Sequence, residues 1–482
     1  MIEAISEEVH NLCRRYQTLA LNEDHTTLTV ALSEEAPQEL LAALRFATGK
    51  RIHLEQWPAA RLELALNQRY LQAETPPLAA AERAPAAASL DDASDTPVVQ
   101  FINQTLRMAI QRRASDVHFE PYQQRFRVRL RIDGVLQAIA SPPAELAARL
   151  SARLKIMGQL DIAERRLPQD GQLSLWLDNA RYSMRIATLP TLHGEKVVLR
   201  ILQTERQELP LEGLGMSRAA LGSYAAALAS PQGMILVTGP TGSGKTVTLY
   251  SGLRQLNDAQ SNLCSVEDPI EIPLFGVNQT QVNAKTELSF SKVLRALLRQ
   301  DPDVIMIGEI RDQETAEIAV KAAQTGHLVL STLHTNSTGE TLTRLTHMGI
   351  PGYLIAACLK LVIAQRLVRR LCEHCRYQQS RPTQFPAAIW PEPLTAWRAD
   401  GCEHCFSGYY GRIGVYELLA VTPEVQAGLL QNATPGQLAD IARQQGQITL
   451  LQAGLTLVAA GVTSLEELYR VVDITACGGE RQ

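Results

Sequence analysis

An α/β fold with a parallel, helix-covered sheet is what this sequence predicts for its central part, with α+β architecture ahead of it. Three observations carry the prediction. From about Gly233, apolar runs of strand length (Met234–Thr238, Asn262–Val266, Val304–Ile307, Leu328–Thr332) alternate with helical patterns such as Phe290–Arg299 and Thr315–Gln324. Strands separated by helices return parallel to one another. A glycine-rich turn, residues 239–246, stands between the first of those strands and a helical pattern. Upstream, the strand patterns Asp116–Glu120, Phe126–Ile132, Arg181–Leu189 and Lys196–Leu202 are marked off by Asp133-Gly134 and His193-Gly194, which are turn pairs.

The chain has 482 residues, of which 45% are hydrophobic, enough for several packed cores. Residues 1–75 read as a small α+β module, helix-like from Ile5 to Leu21, strand-like at Thr27–Leu32 and helical again from Pro37. Residues 76–97 are rich in Ala, Pro, Ser and Asp without apolar period, the composition of a flexible linker. An upstream α+β domain follows over 98–207 and opens with the helix VVQFINQTLRMAIQRR; the α/β core takes 208–365. Residues 366–415 hold two cysteine pairs, and 416–482 read as helical. The run Leu354–Gln365 reads as an apolar helix too short to span a bilayer. The N-terminus MIEAISEEVH lacks the basic and apolar regions of a secretory signal. The expectation is a soluble, unexported chain with reduced cysteines.

Lys plus Arg number 46 against 50 for Asp plus Glu, a formal charge of −4, and aromatics are 5%. A protein that tracks nucleic acid needs a basic excess and stacking rings, so no nucleic-acid partner is expected. A zinc-ribbon nucleic-acid translocase is the competing reading from another class.

Gly239-Pro240-Thr241-Gly242-Ser243-Gly244-Lys245-Thr246 satisfies GxxxxGK(S/T) between a strand and a helix, the context this phosphate-binding loop requires. Its glycines let successive N–H groups point at phosphate oxygens, and the helix N-terminus adds partial positive charge. Lys245 reaches the β- and γ-phosphates, and the Thr246 hydroxyl suits Mg²⁺. ATP and Mg²⁺ are therefore the expected cofactors. Glu309, in Gly308-Glu309-Ile310-Arg311-Asp312 after the strand Val304–Ile307, is placed to organise Mg²⁺ or water. Glu267, in Glu267-Asp268-Pro269-Ile270-Glu271, also follows a strand and is the preferred candidate for polarising the water. The strand LVLSTLH is entered through His327, a candidate γ-phosphate sensor, and ends at His334.

Cys372-x-x-Cys375 and Cys402-x-x-Cys405 form two knuckles able to close a tetrahedral thiolate cage, the geometry of structural Zn²⁺. His374 and His404 lie inside the knuckles.

Taken in order, SDVHFEP, RLPQDG, HGEKVVLRIL, GPTGSGKT, SVEDPIE, IMIGEIRD, TGHLVLSTLHTN, CxxC…CxxC and GRIGVYELL resemble the assembly ATPases of bacterial type II secretion over about 98–482. The type IV pilus assembly ATPases are close relatives of these. The resemblance implies a RecA-like P-loop ATPase core with a tetracysteine zinc insertion. It also implies a homo-hexamer at the inner face of the inner membrane. The partners it implies are a membrane-anchored secretion subunit, met through the N-terminal module, and a polytopic inner-membrane platform protein; ATP hydrolysis would drive pseudopilin addition. It further implies that Arg185, in YSMRIATLP, and Arg200, in EKVVLRIL, approach the phosphates from the upstream domain. A pilus or competence motor is the alternative within the class.

Overall fold

The computed structural model describes residues 18–23, 26–32, 40, 44–45, 48, 50–57, 88–89, 97–177, 180–202, 210–431 and 433–472. They fall into two compact units, Met1–Ala84 and Pro85–Gln482. Most of the expected N-terminal helix, nearly all of the linker and residues 203–209 lie outside the described residues.

In the first unit β1 (Leu19–Glu23) runs antiparallel to β2 (Thr27–Leu32), which runs parallel to β3 (Arg51–Gln56). Leu40 and Leu44 are helical and buried against Leu28 and Val30, as the helical pattern from Pro37 predicts. Leu19–Glu23 departs from the predicted helix: L-A-L-N-E alternates and finds a ladder partner in β2.

The second unit opens with β4 (Ala88–Ser89), α1 (Pro97–Gln111), β5 (Asp116–Pro121), β6 (Phe126–Ile132), β7 (Val135–Ala140), α2 (Ala147–Met157), β8 (Gln169–Leu177), β9 (Ala180–Thr191) and β10 (Gly194–Leu202). The sheet order is β4-β8-β9-β10-β5-β6-β7. Ile102 and Leu106 of α1 and Leu150 and Leu154 of α2 bury one face against Val117, Phe119, Val128, Leu130, Ile186 and Leu199. Burial in β6 alternates strictly, so residues 127, 129 and 131 turn to the other, charged face. Asp133 and Gly134, both at positive φ, make the tight β6–β7 turn.

The core contains α3 (Arg218–Leu228), β11 (Gly233–Thr238), α4 (Lys245–Leu256), β12 (Leu263–Glu267), β13 (Val277–Gln281), α5 (Phe290–Leu297), β14 (Val304–Ile307), α6 (Gln313–Gln324), β15 (Leu328–Leu333), α7 (Thr338–His347), α8 (Gly352–Cys358) and β16 (Leu359–Leu371). After β17 (Arg376–Gln378) and β18 (Trp397–Ala399), β19 (Tyr409–Ala420) returns antiparallel to β16. The order is β13-β12-β14-β15-β11-β16-β19, parallel as far as β16. Leucines 249 and 253 of α4 and Tyr224 of α3 pack on one face, and α5, α6 and α7 pack on the other.

Two expectations are corrected here. Leu354–Gln365 is not one helix: α8 ends at Cys358 and the rest is strand, because L-K-L-V-I-A has β-branched residues and a vacancy beside β11 to fill. The boundaries at 365/366 and 415/416 each cut a strand, so the cysteine segment is an excursion between two paired strands of the core sheet. The chain ends its described part with α9 (Pro423–Leu430), α10 (Pro435–Gln444), α11 (Leu450–Ala459) and α12 (Leu465–Val471). Leucines 450, 451, 455 and 468 of α11 and α12 pack with Ala364, Val368 and Val415. Among the described residues no helix is long and apolar enough to cross a membrane.

Candidate nucleotide site and cysteine cluster

Residues 239–244 leave the C-terminal end of β11 and enter α4 at Lys245, with Gly239, Gly242 and Gly244 at φ 148, 80 and 90°. At Gly239 a β-carbon would sit 2.4 Å from the Gln365 carbonyl oxygen, so glycine is needed there for space as well as for φ. Lys245 Nζ donates to the carbonyls of Gly239 (2.9 Å) and Pro240 (3.2 Å). Burial pushes its ammonium down to about 8, opposed by Glu309 and assisted by Arg366. The Ser243 hydroxyl is buried without a hydrogen-bond partner. A donor fixed without an acceptor, beside a lysine folded onto loop carbonyls, fits a site made for phosphate oxygens. Thr246 is half-buried in the first turn of α4.

Glu309 follows β14 and pairs with Arg311 through one oxygen; the other lies 3.4 Å from His334 Nε2. His334 is held below the usual histidine range by burial and by the charge of Lys245. Lys245, Glu309 and His334 therefore share one edge of the sheet, the C-terminal ends of parallel strands where ligands bind.

Two predicted residues stand elsewhere. His327 precedes Leu328, which pairs with Gly233 at the start of β11. It is thus seven residues of strand, roughly 23 Å, from His334. Its Nδ1 lies 3.0 Å from the Ala322 carbonyl at the end of α6. It therefore stands at the opposite edge of the sheet from the phosphate loop; the sequence context of a strand does not say which end faces the ligand, and the histidine at the loop's edge is His334. Glu267 is 3% exposed and accepts from Tyr250 Oη, from Ser265 Oγ at 2.6 Å and from Gln279 Nε2 at 3.0 Å. Its carboxylate is occupied by α4, β12 and β13 side chains, unlike the open carboxylate the water-polarising expectation requires, and the carboxylate whose charge acts on Lys245 is that of Glu309.

Arg185 and Arg200 are direct cross-strand partners on β9 and β10, on the charged face of the upstream sheet. The ion-pair partner of Arg200 is Asp116 at 3.0 Å, within the same sheet. Sequence reading missed Gln365 and Arg366, which floor the loop. Gln365 Oε1 accepts from Thr248 Oγ1 at 2.7 Å, and Arg366 donates to the carbonyls of Gln365 and Asn336, both at 3.0 Å. Two polar residues interrupting a buried apolar run were the available signal.

The four knuckle sulfurs lie within 4.8 Å of one another. The Cys372–Cys402, Cys375–Cys405 and Cys402–Cys405 separations are 3.7, 3.8 and 3.8 Å. A tetrahedron with Zn–S bonds of about 2.3 Å has edges of about 3.8 Å, so the cluster has the dimensions of a zinc cage. The rings of His374 and His404 meet at a tilt of 38°, their centroids 4.4 Å apart.

A parallel sheet with a phosphate loop at its C-terminal edge, and a carboxylate and a histidine facing the loop lysine, defines a P-loop nucleoside triphosphatase. Comparison with known proteins narrows the class. Residues 91–470 match the family described as Type II/IV secretion system protein, and residues 3–76 match the MshEN domain. The chain belongs to that family, the secretion and pilus-assembly ATPases. It is 50% identical over 461 residues to the protein transport protein HofB homolog of Escherichia coli K12, covering 96% of this chain and 97% of the relative. It is 44% identical over 487 residues to the type IV pilus assembly ATPase PilB of Pseudomonas aeruginosa, covering 97% and 86%. With the type II secretion system protein E of Klebsiella pneumoniae it shares 42% over 478 residues, 95% of each. Among solved structures, the pilus retraction motor PilT with bound ADP aligns at TM-score 0.51 and 26% identity, over 76% of this chain and 95% of that one.

Proposed function

We propose that this chain is a hexameric motor at the cytoplasmic face of the inner membrane, hydrolysing ATP to drive pseudopilus assembly in type II secretion. The observation that carries the reading is the convergence of Lys245, Glu309 and His334 on one edge of the sheet. An entering triphosphate would replace the Gly239 and Pro240 carbonyls as the acceptor for Lys245, and loop N–H groups and the Ser243 hydroxyl would take its oxygens. Thr246 and Glu309 are the residues to hold Mg²⁺, which when bound neutralises charge on the β- and γ-phosphates. Glu309, with His334 as its neighbour, orients the water that attacks the γ-phosphorus; the bond to the β-phosphate oxygen breaks, leaving ADP and phosphate. Arg185 and Arg200 supply guanidinium forks to the γ-phosphate from the upstream domain. Cys372, Cys375, Cys402 and Cys405 hold a structural Zn²⁺ with no open coordination position. Residues 1–75 dock a membrane-anchored subunit, and the assembled ring engages a polytopic membrane protein.

A second reading, assembly of a type IV pilus, is favoured by the 44% identity to PilB over nearly the whole chain. Deleting the gene in its own host separates the two: loss of exported protein from the medium with surface pili intact supports the first, and the converse supports the second. Purified chain that hydrolyses ATP equally well without Mg²⁺ or with Lys245→Ala would refute the site common to both.

A further inference from the structure

The charged face of the upstream sheet carries more than the two arginines considered so far. Arg185 on β9 pairs with Arg200 on β10, Arg200 with Asp116 on β5, and Asp116 with Arg131 on β6. Directly paired residues of antiparallel strands share a face, so these four form one row across four adjacent strands. The opposite face is the apolar core, since Val117, Leu130, Ile186 and Leu199, each one residue along, are all buried in it. The row thus sets three guanidiniums against one carboxylate.

The carboxylate is the organising element. Asp116 has an 8% exposed side chain. Its Oδ1 accepts from Arg200 Nε at 3.0 Å, and its Oδ2 accepts from Ser115 Oγ at 2.8 Å with Arg131 Nε at 3.6 Å. Both arginines therefore face Asp116 through Nε, the single N–H of the guanidinium. That leaves both terminal nitrogens of Arg200, and Nη2 of Arg131, outside the contact with Asp116, and terminal guanidinium nitrogens are the ones that match phosphate oxygens. Arg131 further donates from Nη1 to the Gly134 carbonyl at 3.0 Å, which ties it to the β6–β7 turn. The side chain of Arg200 is 60% exposed and that of Arg131 36% exposed, in contrast to the buried carboxylate between them. A buried anion that holds two outward-facing cations from either side at a fixed spacing is a clamp for a polyanion.

We propose that Arg131 is a third phosphate-binding arginine and that Asp116 is the positioning residue that aims both Arg131 and Arg200 at the γ-phosphate. The inference rests on the reading of Arg200 given above. Charge-assisted hydrogen bonds to phosphate contribute about 1.5–3 kcal/mol, so each loss is worth roughly tenfold to a hundredfold.

The test uses the full chain with Mg²⁺, measuring kcat, melting temperature, and the affinities for ATP and ADP by competition against a fluorescent nucleotide. Arg131→Ala is expected to lower kcat and the ATP-over-ADP preference by about tenfold or more, with ADP affinity and melting temperature held. Arg131→Lys should restore part of the preference. Asp116→Asn should reproduce the loss, and Asp116→Glu should recover part of it. Combined with Arg200→Ala, Asp116→Asn should add less than its effect alone, since only its action through Arg131 remains. The proposal is overturned if Arg131→Ala matches wild type while Arg200→Ala does not. Full additivity of Asp116→Asn with Arg200→Ala overturns it too, as do equal losses of ATP and ADP affinity. Should Asp116→Asn fail to fold, Arg131→Ala and Arg131→Lys decide by the same criteria. An Arg200→Ala chain with unaltered kinetics instead refutes the underlying assignment of Arg200.

Discussion

The two histidines of TGHLVLSTLH give the most direct check on which end of the sheet does chemistry. His334 Nε2 lies 3.4 Å from Glu309 Oε2, and its side chain is 47% exposed. At pH 7.5 the ring is neutral, because burial and Lys245 hold it below the ordinary histidine range. A hydrogen bond to a charged group is worth about 1.5–3 kcal/mol. The long distance and half-exposed ring place this one below that range, at about 1 kcal/mol, which is roughly fivefold in rate. His334→Ala should therefore lower kcat about fivefold in a steady-state Mg²⁺-ATPase assay, leaving KM within about twofold. His327 lies roughly 23 Å further along the strand, beyond a Debye length of about 8 Å at physiological salt. His327→Ala should leave kcat within about twofold. A silent His334→Ala beside a severely impaired His327→Ala would refute the placement of the γ-phosphate at the C-terminal edge of this chain's own sheet.

Glu309→Gln should retain nucleotide binding and slow turnover by at least tenfold, because it alters the group facing water and metal and not the loop amides; equal loss of binding and turnover in a filter assay would mark it as structural. Burial lowers Lys245 to about 8, so it is charged below that pH and neutral above it. Phosphate favours the charged form, so ATP affinity should be flat below about pH 8 and fall by up to tenfold per unit above it, with proton uptake visible by calorimetry. Lys245→Met should abolish that slope, and a slope that survives would move the titration elsewhere. Metal analysis of anaerobically purified chain should find one zinc per chain, lost in Cys372→Ser/Cys402→Ser; zinc retained by the double mutant would remove the cage.

Sequence alone located the phosphate loop, the strand carrying Glu309 and the cysteine knuckles, because each is a local pattern whose chemistry depends on near neighbours in the chain. What it missed depends on pairing. β16 was read as helix because a continuous apolar run carries no period that separates a buried strand from a buried helix. With that strand hidden, Gln365 and Arg366 could not be placed beneath the loop, since they lie 120 and 121 residues along the chain from Lys245. Glu267 and Glu309 each end a strand, yet one is sealed by Tyr250, Ser265 and Gln279 and the other faces Lys245. That difference is set by residues contributed from three other elements, so no local window contains it. The row Arg185–Arg200–Asp116–Arg131 is likewise a product of register, visible only once four strands are aligned.

Strand β16 links these parts physically. Its middle floors the phosphate loop through Gln365 and Arg366, and its end opens the first knuckle at Cys372. The cysteine excursion in turn meets the upstream domain: Gly411 N–H donates to Asp133 at 2.9 Å, Arg113 stands 4.0 Å over the Tyr410 ring, and Phe406 packs on the upstream core. Asp133 lies two residues from Arg131, so the arginine row is held against the knuckle side of the same chain. Any movement that carries the row onto a γ-phosphate must break these contacts or leave them intact by moving as one piece with them. The hydrogen bond to the Asp133 carboxylate is worth about 1.5–3 kcal/mol and the cation–π contact about 0.5–1 kcal/mol, so breaking them costs a few kcal/mol with the Phe406 packing included. Differential binding of a ligand to two conformations supplies about 5.5 kcal/mol when it reverses a 1:99 population. The contacts between the upstream domain and the knuckle side therefore cost less than a ligand with that differential affinity would supply.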